Sequence, residues 1–319
     1  MDYIKALGLF CVILAHVNAP GWLLQLRSFD VPLLVFVSGY LASKTTLSLS
    51  NIQYYKKRFF RLVVPSWIFL CVFFLIVSLF YKSPKVEEIV KGVFFQRDAD
   101  MVGMLWIIWV YFACALLIPL IKQIKGSKYC FWGILLALIF YELLCCFTDL
   151  YEYRIIYMTI FTFIPWGIIT YFGFYYDSFT RKTKTSLFIT FGILFVLIAV
   201  AHYFVDNRFV YTYEYKYPPH LYYFSYACLI SVVIFELFRK LKLPNNRIIN
   251  FVSSSSLWIY LWHILILYVV KSFIENDAYW YIQYFLIIIG SCIVTYVQNR
   301  IIKLLVKKKG LSFLKVFLG

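Results

Sequence analysis

Ten apolar runs recur along this chain, at about 3–17, 29–42, 62–81, 103–122, 130–147, 154–176, 186–204, 220–238, 252–270 and 279–302. They constrain the fold more than any other feature. A helix needs roughly 20 apolar residues to cross the hydrocarbon core of a bilayer, and most of these runs approach that length. The second is short for a crossing, which suggests a tilted helix or one set partly in a protein-lined cavity. Soluble domains carry about a quarter of their residues as charges, whereas here only 14% are charged and 63% are hydrophobic. The expected fold is therefore all-α: a polytopic transmembrane bundle of about ten helices, forming one domain over residues 1–319.

The loops set the orientation. With a cytoplasmic N-terminus, twenty Lys and Arg fall in inner loops and nine in outer ones, the latter being Arg27, Lys82, Lys85, Lys91, Arg97, Arg154, Arg208, Lys216 and Lys271. The inner set includes Lys44, Lys56 to Arg61, Lys122, Lys125 and Lys128. Such an excess is the positive-inside asymmetry of a multi-pass protein with both termini in the cytoplasm, and the expected location is the cell's inner (plasma) membrane. The net charge of +16 has the same origin and does not call for nucleic acid. The eight cysteines lie within apolar runs and lack metal-ligand spacing, so they read as buried apolar residues and no metal is expected. The N-terminus shows neither the basic region nor the cleavage site of a signal peptide, so the first helix is expected to be retained.

Ionisable groups inside spans are costly and become functional candidates by default. The first run carries Asp2, Lys5 and His16. On a continuous helix the eleven-residue step from Lys5 to His16 is nearly three turns, so both point one way, about 16 Å apart. His263 lies on the ninth run, where Ser256, Tyr260 and His263 follow one helical stripe at i, i+4 and i+7. Counted from the inner end, the two histidines reach similar depth, which suggests a shared polar cavity. Asp30, at the outer end of the second run, is either a partner for His16 or a water-facing helix-end carboxylate. Ser38 and Gly39 make a small-residue spot suited to close helix approach, and Pro32 is acceptable in a first helical turn. Arg58 and Arg61 share a face at the entry to the third run. They suit either anionic lipid heads or the phosphates of a nucleotide-like ligand from the cytosol.

Two outer loops are long enough to carry function. One, about 82–102, mixes Lys85, Glu87, Glu88, Arg97, Asp98 and Asp100; the other, Asn207 to His220, is rich in Tyr. Those aromatics read as interfacial anchors or as a surface on which a glycan stacks.

Several of these segments resemble the membrane-bound acyltransferase family 3, which includes sugar and polysaccharide O-acetyltransferases. Lys5 through His16 is similar to that family's basic residue, ten residues, then His. Phe29 to Leu41 resembles its Pro-Leu-Phe-Phe-x-x-Ser-Gly-Tyr-Leu segment. Arg58-Phe-Phe-Arg61 with Pro65 resembles its Arg-x-x-Arg-x-x-x-Pro entry, Leu105-Trp106 with Tyr111 and Pro119 its Leu-Trp-Phe helix, and Ser256, Tyr260 and His263 its late Ser-x-x-x-Tyr-Leu-x-His. The chain departs in having Lys5 where many members have Arg, and no His near Met104 or at Asp30.

The resemblance implies transfer of an acyl group, usually acetyl, from cytosolic acyl-CoA to a hydroxyl of a cell-surface or lipid-linked glycan. Arg58 and Arg61, with Ser38, would hold the CoA; His16 would act as general base; Lys5, Asp30, Tyr260 and His263 would shape or hydrogen-bond the site. Membrane lipids and the two substrates are the expected partners. A glycan or lipid-linked sugar flippase is the rival reading, since ten helices with midplane polar groups would suit it too. Against it, the chain has no internal repeat and few intramembrane acids.

Overall fold

In lipid every backbone donor and acceptor has to be paired within the protein, and a helix does so within its own segment. The computed structural model accordingly contains fourteen α-helices among the residues it describes, 1–45, 50–80, 83–124, 128–309 and 312–318. In order they are α1 (Asp2–Leu14), α2 (Gly21–Leu26), α3 (Asp30–Thr45), α4 (Asn51–Phe80), α5 (Val86–Val93), α6 (Trp106–Gln123) and α7 (Lys128–Phe147). There follow α8 (Arg154–Met158), α9 (Ile160–Tyr175), α10 (Arg181–Asp206), α11 (Leu221–Lys240), α12 (Arg247–Ser254), α13 (Ser256–Phe273) and α14 (Trp280–Lys309). Lys82 and Lys125, both part of the charge asymmetry, lie outside the described residues.

Each of the ten apolar runs is helical, but seven helical stretches among the described residues are long and apolar enough to cross a membrane. These are Asn51–Phe80, Gly103–Gln123, Arg154–Ser178, Arg181–Asp206, Leu221–Lys240, Ser256–Phe273 and Asp277–Lys307. The first two runs fall short. α1 has 13 residues and α3 has 16, about 20 and 24 Å at 1.5 Å per residue, against a hydrocarbon core of about 30 Å. In α7, Leu136–Phe147 counts as a shorter apolar helix.

The chain forms two compact units, each discontinuous in sequence. The first comprises residues 2–19, 50–112 and 244–319; the second, 20–49 and 113–243. In the first, α1 packs on α12, α13 and α14, while α13 lies against both α14 and α4. Its loop 94–105 is folded by its own charges. Glu88 accepts the amides of Asp100 and Met101 at 3.0 and 2.7 Å, and Lys91 pairs with Glu87 and Asp98 at 2.9 and 3.1 Å. α13 then pins this loop, since Tyr268 donates to the Met101 carbonyl at 2.9 Å and Tyr260 to that of Met104.

In the second unit the closest packing is α3 on α9. A Cβ on Gly39 would lie 2.4 Å from the Thr170 carbonyl oxygen, and one on Gly173 only 2.0 Å from that of Phe36. Both positions exclude any side chain, which gives the small-residue spot at Ser38 and Gly39 its structural role. Pro32 occupies the first turn of α3, where its missing N–H costs nothing. α10 buries only Phe191 among its 26 residues, as a helix whose outer face is lipid would.

Candidate active site

α1 ends sooner than its apolar run. Ala19 precedes Pro20, and a residue before proline is pushed out of the helical region. The helix has already stopped at Leu14, where the chain tightens into i→i+3 bonds, Ala15 N–H to Val12 and His16 N–H to Ile13, at 3.1 and 3.0 Å. His16 thus sits in the turn beyond α1, and the continuous helical stripe expected from Lys5 to His16 does not exist. The segment that follows is irregular yet largely enclosed, with Val17 and Ala19 buried; such backbone is tolerated at membrane depth where protein surrounds it.

That turn places the half-buried His16 imidazole against His263 of α13, ring centroids 5.3 Å apart and tilted by 34°. His263 has no exposed surface. Its Nδ1 faces the carbonyl of Tyr260 one turn earlier, and a carbonyl only accepts, so the proton belongs on Nδ1. Nε2 then carries a lone pair, and it is buried with no hydrogen-bond partner among the described residues. The Tyr260 ring lies 4.8 Å from that of His263, and its hydroxyl is committed to Met104. Tyr260 therefore holds His263 and the entry of α6 in place. Ser256 opens α13, just after a break at Ser255 that separates it from α12.

The other end of α1 gathers charge. Asp2 accepts from Ser253 of α12 at 2.5 Å and lies 3.9 Å from Lys5. Lys5 is repelled by Arg61, and Arg61 in turn by Arg58, so three cations share one field. Arg58 donates through Nε to the Tyr54 hydroxyl at 3.2 Å and stacks 5.2 Å over that ring. No carboxylate among the described residues comes within ion-pair distance of Arg58 or Arg61. The length of α1 separates these cations, at its start, from the imidazole pair, in the turn beyond its end. One end can receive an anion and the other can move a proton.

A family comparison gives this geometry a reaction class. The acyltransferase domain family matches residues 1–298 of the 319. The chain belongs to acyltransferase family 3. It is an acyltransferase, with the apolar helices of a multi-pass membrane protein. No curated protein and no solved structure gives a significant match.

The remaining candidates of this acyltransferase, Asp30 and Ser38, lie in the second unit. Asp30 is 1% exposed, so it does not face water. It receives Arg27 at 2.5 Å, Lys216 at 3.6 Å and the Val31 amide at 2.8 Å. Burial pulls the Lys216 ammonium down to about 8, with Asp30 opposing that shift. In the sequence Arg27 and Lys216 are outer-loop charges; the available sign for Arg27 is its i, i+3 spacing to Asp30, and Lys216 carries none. Ser38 is half-buried on α3, beside the Gly39 contact. Two further groups went unread: Ser253, which holds Asp2, and Asn299, which donates to Ser255 at 2.9 Å. The four-serine run from Ser253 to Ser256 was the available sign.

Proposed function

We propose that this acyltransferase moves an acyl group, acetyl foremost, from cytosolic acyl-CoA to a hydroxyl of a cell-surface or lipid-linked glycan, with His16 as general base. The observation that carries the reading is the contact between His16 and His263, 5.3 Å between rings, at one end of α1 while cations gather at the other. Arg58 and Arg61 would clamp CoA phosphates by charge-assisted, forked hydrogen bonds. The pantetheine arm would run beside α1 and present its thioester to the imidazoles. Lys5, tied to Asp2, adds to the field at the anion end.

In the transfer, His16 takes the proton of the acceptor hydroxyl as its oxygen forms a bond to the thioester carbonyl carbon. The C–S bond breaks, the sulfur leaves as thiolate, and the proton held by His16 neutralises it, so the products are the ester and CoA-SH. His263 positions His16 through the ring contact and supplies a polar wall in an otherwise apolar site. The excess of basic residues in alternate loops supports an inner-membrane protein with both ends in the cytoplasm. Family membership favours this reading over a flippase.

The test is purified protein with radiolabelled acetyl-CoA and candidate glycans. Label should pass from CoA to glycan in the wild type and not in His16→Gln. If the wild type leaves all label on CoA while vesicles still transport the glycan, the reading is wrong.

A further inference from the structure

The second unit holds a cluster that the acyl-transfer reading does not use. Glu142 and Cys145 stand three residues apart on α7, so their side chains share a face. His220 caps the start of α11, and its Nδ1 lies 3.1 Å from Glu142 Oε1. One donor atom from each of Glu142, Cys145 and His220 lies within 4.8 Å of the other two. A carboxylate, a thiol and an imidazole converging in this way are the mixed oxygen, sulfur and nitrogen set that a zinc-class ion takes.

We propose that Glu142, Cys145 and His220 bind a divalent transition metal ion of the zinc class. Ligand bonds of about 2.0–2.3 Å in a tetrahedron place donors some 3.3–3.8 Å apart. The widest separation present therefore closes by about 1 Å, which side-chain rotation supplies. The carboxylate is already aimed: its Oε2 accepts the Leu221 amide at 2.7 Å, which leaves Oε1 toward His220. Ligands oriented by such outer partners are the rule at metal sites. On the buried side, the fully buried Tyr141 sets its hydroxyl beside the Cys145 sulfur, with no other hydrogen-bond partner among the described residues. On metal binding the Cys145 thiol loses its proton to solvent, and the metal-bound thiolate then accepts a hydrogen bond from the Tyr141 hydroxyl. Tyr141, Cys145 and Phe161 form an apolar backing, while His220 and Glu142, at 19% and 27% exposure, leave a way in. Three protein ligands leave the fourth position to water.

The expectation of no metal came from cysteine spacing alone, and the ligands here span 78 residues of sequence. The site stands apart from the reading of His16 as base, so each can fail without the other.

The full-length protein in detergent, stripped with chelator, is reloaded with Zn²⁺ or with Co²⁺ as a spectroscopic substitute. About one metal per chain should be retained after desalting, and the cobalt form should show a thiolate-to-metal charge-transfer band. Cys145→Ser should abolish the band, and Cys146→Ser, whose sulfur lies 3.8 Å from Glu142 Oε1, should keep it. On wild-type protein alone, Zn²⁺ should slow alkylation of Cys145 at least tenfold, read by peptide mass spectrometry. Failure to retain metal, retention with no thiolate band, or alkylation of Cys145 unchanged by Zn²⁺ would each overturn the proposal. In any of those cases Glu142 is only the polar cap of α11.

Discussion

Removing Arg61 should weaken the donor substrate and leave the chemistry alone. Arg61 and Arg58 are spaced by three on α4, and neither has a carboxylate in reach among the described residues. Arg58 is already oriented by Tyr54, through a 3.2 Å hydrogen bond and a 5.2 Å stack, so its fork waits in place. A hydrogen bond to a charged group contributes about 1.5–3 kcal/mol. At 1.4 kcal/mol per tenfold, Arg61→Ala should raise KM for acetyl-CoA by about tenfold to about a hundredfold with kcat nearly constant, the pattern of lost uniform binding. Arg61→Lys keeps the charge but loses the fork, so its effect should be clearly smaller. The Arg58→Ala, Arg61→Ala double variant should fall short of the sum of the singles, because both residues serve one ligand.

The assay is steady-state transfer in nanodiscs with acetyl-CoA varied, repeated with acetyl-pantetheine, which lacks the nucleotide phosphates. If the arginines hold phosphate, Arg61→Ala should change KM for acetyl-CoA and leave that for acetyl-pantetheine alone. Equal effects on both donors, or a fall in kcat with KM unmoved, would refute the assignment. An effect present only in nanodiscs of anionic lipid would give the pair to headgroups instead.

At the other end of α1, His16→Gln should lower kcat by on the order of 10²–10⁴, whereas Lys5→Arg, which preserves the pair with Asp2, should retain most activity; the opposite ranking would reverse the division of roles along α1. Gly173→Ala should reduce the yield of folded protein in detergent, since its Cβ would lie 2.0 Å from the Phe36 carbonyl oxygen, and normal yield and melting would mean that α3 and α9 part easily. Lys216 is drawn down to about 8 in the fold from its ordinary 10.5. Between those values the unfolded chain holds the extra proton, so raising the pH through this window should stabilise the wild type relative to Lys216→Met, by roughly 3 kcal/mol in full. Parallel melting curves for the two proteins from pH 7 to 11 would contradict that.

How much of this could be read beforehand differs between elements and contacts. Helix type follows from apolar runs alone, because lipid permits little else, and all ten runs are helical. Length does not follow in the same way. The run from 3 to 17 leaves the α-helix after Leu14 and turns through i→i+3 bonds ahead of Pro20, and the run from 252 divides at Ser255. In both cases a local backbone preference interrupts a segment whose hydrophobicity is continuous, and hydropathy is insensitive to it.

The candidate site was legible to the extent that each residue is unusual for its surroundings. Histidine in an apolar run is rare enough that His16 and His263 announce themselves, and their rings meet. Asp30 is anomalous in the same way, yet its solution is a buried set with Arg27 and Lys216, and position along the chain gives no hint that a loop residue almost two hundred positions away supplies one of the cations. Glu142 and His220 show the limit most sharply. Glu142 is an acid inside the apolar run 130–147 and a candidate by that alone, but His220 is a lone histidine after two prolines in a loop, and only the packing that brings α7 and α11 together sets the two 3.1 Å apart. An intramembrane charge such as Glu142 is costly and can be found by itself, whereas its partners in a ligand set, a cysteine in an apolar run and a loop histidine, are each unremarkable. The search for further sites in a helical membrane enzyme therefore starts from convergence in space among modest residues, and the Cys145 alkylation measurement asks whether that convergence here binds an ion.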